Sequence, residues 1–238
     1  MSVSVIIPAY KEEENLKILL PAVKSALNSA HIAHEVIVVG PLVDTDNSRK
    51  ICLDYGCTYI NRENGNNYGD AVRTGIRLAK NEYIMMMDAD GSHDPEDIKR
   101  LHKEIISSSA DIVIGSRYIK GGKTHNTLIL KFMSYALNTT YRFVFEINVQ
   151  DISNSFRIYN AEKLKKLNLQ CNDFDVVEEI LILLNSIHSA KIKEIPVEFK
   201  KRAIGNSKRN LMKFIFSYLD TMFKLYKIKT GIKKKKDK

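Results

Sequence analysis

Residues Tyr83–Met87 form an unbroken apolar run that passes straight into Asp88-Ala89-Asp90. Gly91, the cluster Ser92-His93-Asp94, and Pro95 at an acidic helix start follow. A short apolar run bounded by turn residues reads as a strand buried on both faces. Val3–Ile7, stopped by Pro8, and Glu35–Val39, broken by Gly40-Pro41, have the same character; Cys57–Ile60 and Asp111–Gly115 are further candidates. Helix-length segments separate them. One follows Glu12, with Leu16, Leu19, Leu20 and Val23 on its apolar face and Pro21 predicting a kink or a short helix. The others are Asp46–Tyr55, Asp70–Lys80 and Pro95–Ser107. This alternation predicts an α/β fold with a mostly parallel central sheet flanked by helices. Sites in such sheets lie beyond the carboxyl ends of the strands. Asp88, Asp90, the loop after Ile7, and Ser116-Arg117 would converge there.

After Gly122 the pattern changes. Leu128–Phe145 reads as a helix, Val149–Tyr159 as a polar loop feeding a strand, Asp175–His188 as a helix and Lys191–Phe199 as a strand. No internal repeat or Gly/Ser-rich linker divides the chain. The expectation is one main domain, 1–208, with an extension over 209–238.

In extended chain, residues i and i+2 point the same way, roughly 6–7 Å apart. Asp88 and Asp90 could therefore hold a hard divalent cation and leave positions open for other oxygen ligands. A surface turn with acidic helix caps has the same spacing, which leaves both readings open. Asp44-Thr45-Asp46 repeats the pattern without a preceding apolar run, and Asp46 reads as a helix N-cap.

Other nucleotide motifs fail. Gly121-Gly122-Lys123-Thr124 lacks the earlier P-loop glycine, because Arg117 occupies that position. No Gly-x-Gly-x-x-Gly follows the first strand, and there is no Gly-x-Ser-x-Gly elbow. The spacing of Cys52, Cys57 and Cys171 fits neither zinc nor a disulfide framework, so a reducing cytosol is expected. The opening MSVSVIIPAY lacks the features of a secretory leader, and no apolar run reaches membrane-spanning length. The net charge of +9 points to an anionic partner, although Lys233–Lys236 carries much of the excess. No nucleic-acid recognition motif accompanies that tail.

Several ordered motifs together resemble family 2 glycosyltransferases of the GT-A fold, and within them the polyprenyl-phosphate sugar transferases. They are IIPAYKEEENL, EVIVV, NNYGDAVRTGIRLA, MDADGSHDPEDI, DIVIGSRYIKGG, DISNSFRIY, IKEIPVEFKKR, and Arg202-x-x-Gly205-x-Ser207-Lys208. The resemblance covers about Ser4 to Lys208. It implies transfer of a sugar, mannose from GDP-mannose being the commonest case, to a dolichyl or polyprenyl phosphate. By resemblance, Asp88 and Asp90 ligate Mg²⁺ or Mn²⁺ on the donor diphosphate. Pro8, Ala9, Tyr10, Glu12 and Ser92 meet the nucleotide sugar. Arg117, Lys131, Arg202 and Lys208 meet donor or acceptor phosphates, with Asp90, Arg117 and Arg202 closest to the chemistry. Lys131 replaces the family's usual arginine and loses its bidentate geometry. The family also carries two aspartates after the second strand. Here Gly40 and Pro41 stand there, which leaves a guanosine and a uridine donor both open.

The resemblance implies inversion at the sugar carbon. An ionised lipid phosphate needs no general base, whereas a saccharide hydroxyl would, with Asp151 or Glu179 as candidates. A non-catalytic nucleotide-sugar-binding relative is the third possibility. Arg209–Lys229 reads as an amphipathic helix with Lys213, Ser217, Asp220, Lys224 and Lys227 on its polar side. With the basic tail it fits the cytoplasmic face of a membrane; packing on the enzyme's own core fits equally well. A separate membrane-anchoring subunit is compatible with either.

Overall fold

A computed structural model describes residues 1–202, 204 and 220–231. Seven strands form the main sheet: β1 (Val3–Pro8), β2 (His34–Gly40), β3 (Thr58–Asn61), β4 (Tyr83–Met86), β5 (Ile112–Ser116), β7 (Arg157–Asn160) and β8 (Ile192–Pro196). A two-stranded ribbon pairs β6 (Lys123–Thr124) with β9 (Glu198–Phe199). The helices are α1 (Glu13–Ser29), α2 (Ser48–Asp54), α3 (Tyr68–Leu78), α4 (Asp97–Ser108), α5 (Leu128–Phe145), α6 (Ala161–Lys165) and α7 (Val176–His188), and 220–231 is also helical (α8).

The sheet order is β3-β2-β1-β4-β7-β5-β8, and β7 alone runs antiparallel to its neighbours. Its insertion puts the segment before Arg157 at the same sheet edge as the carboxyl ends of β1, β4 and β5. The register pairs Ile6 with Met86, and Met86 with Arg157. Two residues beyond the first pair come Pro8 and Asp88.

Strand side chains alternate between two cores. Val5, Ile7, Met85 and Met87 face the layer holding α1 and α4. Ile6, Ile84 and Met86 face α3 and α7. Burial on both faces explains why the strands read as continuous apolar runs. α1 runs through Pro21 for its full length, so the shorter alternative for this helix does not occur.

α8 belongs to the second core. Leu225 is fully buried there, Thr221 Oγ1 donates to Asp175 Oδ2 at 2.7 Å, and Lys229 Nζ donates to the Phe145 carbonyl at 2.9 Å. Of the two placements open for the C-terminal extension, its described part shows packing on the enzyme's own core. Arg209–Leu219 and the Lys233–Lys236 tail lie outside the described residues.

Candidate active site

β4 delivers Asp88 and Asp90 to the sheet edge, both partly exposed. The chain then reverses through Gly91, whose φ of 75° lies in the region that glycine tolerates. Tyr68, at the start of α3, donates its hydroxyl to Asp88 Oδ1 at 3.2 Å and stacks on Phe174. Burial and the adjacent Asp88 hold that phenol well above its ordinary range, so it remains a donor. The Ser92 backbone N–H donates to Asp90 Oδ1 at 3.0 Å. The Ser92 hydroxyl is buried, with the residue only 1% exposed. In this arrangement Ser92 supports Asp90 through its backbone N–H.

Glu12 and Arg202 complete this cluster. The Arg202 guanidinium pairs with Glu12, and its Nε lies 3.8 Å from Asp90 Oδ2. Burial lifts the Glu12 carboxyl above its usual range and the Asp90 charge adds to this, while Asn15 and Arg202 pull the other way. The Arg202 guanidinium is a cation that Glu12 and Asp90 already accept. Two hard oxygen donors at a strand end fit Mg²⁺ or Mn²⁺. Among the described residues no cluster of three or more His, Cys, Asp or Glu could hold a metal. The remaining ligands would therefore come from substrate oxygens and water.

Pro8 and Ala9, at and just beyond the end of β1, are buried, and Tyr10 is 49% exposed. Arg62, which stands in no motif, clamps this loop. Its Nη2 donates to the Ala9 carbonyl at 3.0 Å and its Nη1 to the Asn66 carbonyl at 2.7 Å.

The departure after β2 has a steric correlate. A Cβ on Gly40 would lie 1.9 Å from the Tyr59 phenol oxygen, so a carboxylate here requires Tyr59 to move. Asp44 is held by Arg49 at 2.5 Å and by Asn61 at 2.8 Å. Asp46 accepts the Ser48 N–H at 3.0 Å from the position before the N-cap, which is Asn47 and not Asp46 as expected.

Arg117, after β5, is only 8% exposed. Its Nε and Nη2 meet the two Asp151 oxygens, and Nη2 also donates to Ser153 Oγ at 2.8 Å. Ser134 on α5 touches the same Ser153 at 3.3 Å, and Lys131 lies one turn earlier on that helix. Asp151 and Glu179 are both fully buried. Glu179 accepts the backbone N–H groups of Gln170 and Cys171 at 2.9 Å, fixing the loop against which α3 starts. Both carboxylates are therefore engaged by donors within the fold. Lys208 lies outside the described residues.

Residues 4–167 match the family model for glycosyl transferase family 2. The chain belongs to this family. It is 33% identical to a dolichol-phosphate mannosyltransferase of Pyrococcus furiosus, over 95% of this chain and 64% of that protein. It is 30% identical to a polyprenol monophosphomannose synthase of Mycolicibacterium smegmatis, over 86% of this chain and 79% of the relative. The chain thus spans just under two thirds of the archaeal relative's length. Its fold matches that of glucosyl-3-phosphoglycerate synthase from Mycobacterium tuberculosis in complex with Mn²⁺, UDP and glucosyl-3-phosphoglycerate. That match has a TM-score of 0.74 at 16% identity, over 94% of this chain and 79% of the other. The expected GT-A architecture is the one observed.

Proposed function

We propose that this family 2 glycosyltransferase moves a sugar, mannose from GDP-mannose, onto a polyprenyl or dolichyl phosphate. The observation that carries the choice of acceptor is the commitment of both candidate bases. Asp151 is occupied by Arg117, and Glu179 by two backbone N–H groups. An acceptor that arrives ionised suits such a site. A phosphate monoester has a second pKa of about 6 and needs no proton removed at neutral pH.

In this reading a divalent cation held by Asp88 and Asp90 supplies Lewis-acid stabilisation of the leaving diphosphate when bound. The chain's own residues do the rest. Arg202 is positioned to turn from Glu12 and Asp90 toward phosphate oxygens, where a guanidinium stabilises growing charge. Lys131 and Lys208 add positive charge for the acceptor. Arg117 orders the 151–153 loop that borders it. An acceptor phosphate oxygen attacks the anomeric carbon from the face opposite the diphosphate. The new C–O bond forms as the old one breaks, and its electron pair leaves with the nucleoside diphosphate.

The acceptor places the enzyme at a membrane, and we assign it to the cytoplasmic face. Among the described residues no helix is long and apolar enough to cross a membrane. The apolar surface is on α5 instead: Leu128 is 82% exposed, Phe132 72%, Tyr135 61% and Phe143 86%. These recur at helical spacing on one face, and Ser134 of the same helix touches Ser153, which Arg117 holds. Phe143 also lines a groove with Tyr226, which continues the surface onto α8. Such a face suits the interfacial layer of a bilayer.

The uridine alternative rests on Gly40, closed in by Tyr59, standing where the family resemblance implies a carboxylate, which leaves the base unassigned by that loop. One assay addresses donor and acceptor together. Protein, Mg²⁺ or Mn²⁺ and polyprenyl phosphate are incubated with labelled GDP-mannose, UDP-glucose or UDP-N-acetylglucosamine, and the lipid is extracted. Label in the organic phase from GDP-mannose, lost in Asp90→Ala, is the expected result. Label only from a UDP-sugar would change the donor. No lipid label from any donor would overturn the acceptor assignment.

A further inference from the structure

His93 is buried at 1% exposure one turn behind the acidic pair, and nothing above gives it a role. Its hydrogen bonds can be assigned in sequence. The Gly115 carbonyl can only accept, so it faces the Asn154 amide nitrogen, 2.5 Å away. That turns Asn154 Oδ1 toward His93 Nε2 at 3.2 Å, so Nε2 carries the proton. In the neutral ring Nδ1 is then bare, and it accepts the backbone N–H of Asp88 at 3.1 Å. Each link fixes the next, from β5 through the segment before β7 to the first carboxylate.

The ring itself cannot tilt freely. It stacks on Phe156 with centroids 4.7 Å apart and meets Phe199 edge-on at 5.5 Å. The turn that carries it is clipped from the other side, since Lys200 donates its N–H to the Ser92 carbonyl at 2.9 Å and its ammonium pairs with Asp94 at 2.7 Å. Lys200 lies two residues before Arg202.

The Met87 N–H still bonds Ile6 across the sheet at 3.1 Å, whereas the Asp88 N–H turns to the imidazole. The Asp88 backbone is thus anchored where the chain leaves the β-ladder by a side chain from the following loop, while Tyr68 meets the carboxylate itself.

We propose that His93 is a positioning residue for the metal site, aiming Asp88 through its backbone N–H. This rests on the reading of Asp88 and Asp90 as metal ligands. Groups that orient a ligand from outside typically change metal affinity by about 10–100-fold when removed.

The test is Mn²⁺ binding, followed by loss of the free-ion EPR signal, with GDP present and again with UDP. His93→Phe keeps a stacking ring and removes both hydrogen bonds; it lowers Mn²⁺ affinity by about tenfold or more. His93→Asn places an oxygen near the Nδ1 position and recovers most of that loss. His93→Gln places its polar end near Nε2 and does not. A packing role alone predicts that Asn and Gln, which both lose the stack, behave alike, and that result would overturn the proposal. Asn154→Leu reaches the same chain from outside, so it applies even if the His93 variants fold poorly. It should give a smaller loss in the same direction, and unchanged affinity counts against the proposal. If the wild-type protein binds no Mn²⁺ with either nucleotide while Asp90→Ala behaves identically, the metal reading itself fails and His93 has nothing to aim. Wild-type binding left intact in His93→Phe rejects the positioning role and spares the metal site.

Discussion

Arg117 grips Asp151 through two parallel bonds, Nε to Oδ2 at 2.8 Å and Nη2 to Oδ1 at 2.7 Å. Aromatic rings of Tyr118 and Phe199 lie near the guanidinium, at 5.2 and 5.4 Å from their centroids. Removing one partner of a buried ion pair leaves the other charge uncompensated, at a cost of about 3–5 kcal/mol. Asp151→Asn should therefore lower unfolding stability by roughly that amount in a urea titration, along with turnover. A general base would give the opposite split: turnover lost with stability and donor affinity intact.

His102 on α4 provides a pH test away from the cleft. Its Nε2 lies 3.2 Å from the Met1 carbonyl. Burial, more than the nearby N-terminal ammonium, holds the imidazole below its ordinary value of 6.5, against the opposing effect of the Met1 hydrogen bond. The unfolded chain therefore takes up this proton at a higher pH than the folded one. The stability it contributes is complete above about pH 6.5 and is lost as pH falls through the folded value. Between about pH 7.5 and 5.5 the wild-type melting temperature should drop further than that of His102→Gln. Parallel curves for the two proteins would remove His102 from the acid response.

Leu225 decides what the described part of the C-terminal extension does. A surface helix held only by lipid would leave the melting temperature unchanged on truncation after Lys208. A fully buried leucine predicts destabilisation instead. Leu225→Ala should cost about 2–5 kcal/mol in a urea titration. A cost near zero would return α8 to the membrane-only view.

How far the sequence discloses this molecule depends on the range of each interaction. Leu128–Phe145 is a helix over the predicted residues, because a long periodic segment carries its own signal. The parallel strands were legible as apolar runs for the reason already given, their burial on both faces. The direction of β7 was not: Arg157–Asn160 is too short for its pattern to distinguish a parallel from an antiparallel neighbour. That one inversion brings Asp151, Ser153 and Asn154 to the cleft edge. The contact of His93 with Asn154 follows from it, across 61 residues of chain. Asp88 and Asp90 announce themselves because their chemistry lies in local spacing. Of the partners that hold them, Tyr68 is distant in sequence, and His93 stands in the same MDADGSHDPEDI motif but takes its role from Asn154, far along the chain. Tyr68 does stand inside a recognisable motif, NNYGDAV, which was the available clue.

The exposed face of α5 gives the test of membrane contact. Leu128 and Phe132 are one turn apart and more than two thirds exposed, so replacing them removes little from the protein's own packing. Surface changes of this kind stay within about 0.5 kcal/mol of stability. Transfer of each side chain into an apolar phase is worth about 1.5–3 kcal/mol when burial is complete. The double variant Leu128→Ser, Phe132→Ser should therefore bind anionic vesicles at least about tenfold more weakly, even if each side chain is only partly inserted. Its melting temperature should match wild type. Its turnover with a short, water-soluble prenyl phosphate should be retained, while turnover on vesicle-borne acceptor falls. Equal vesicle binding by variant and wild type would show that α5 is not the surface that meets lipid. Equal loss with both acceptors would instead place these side chains in the acceptor site itself.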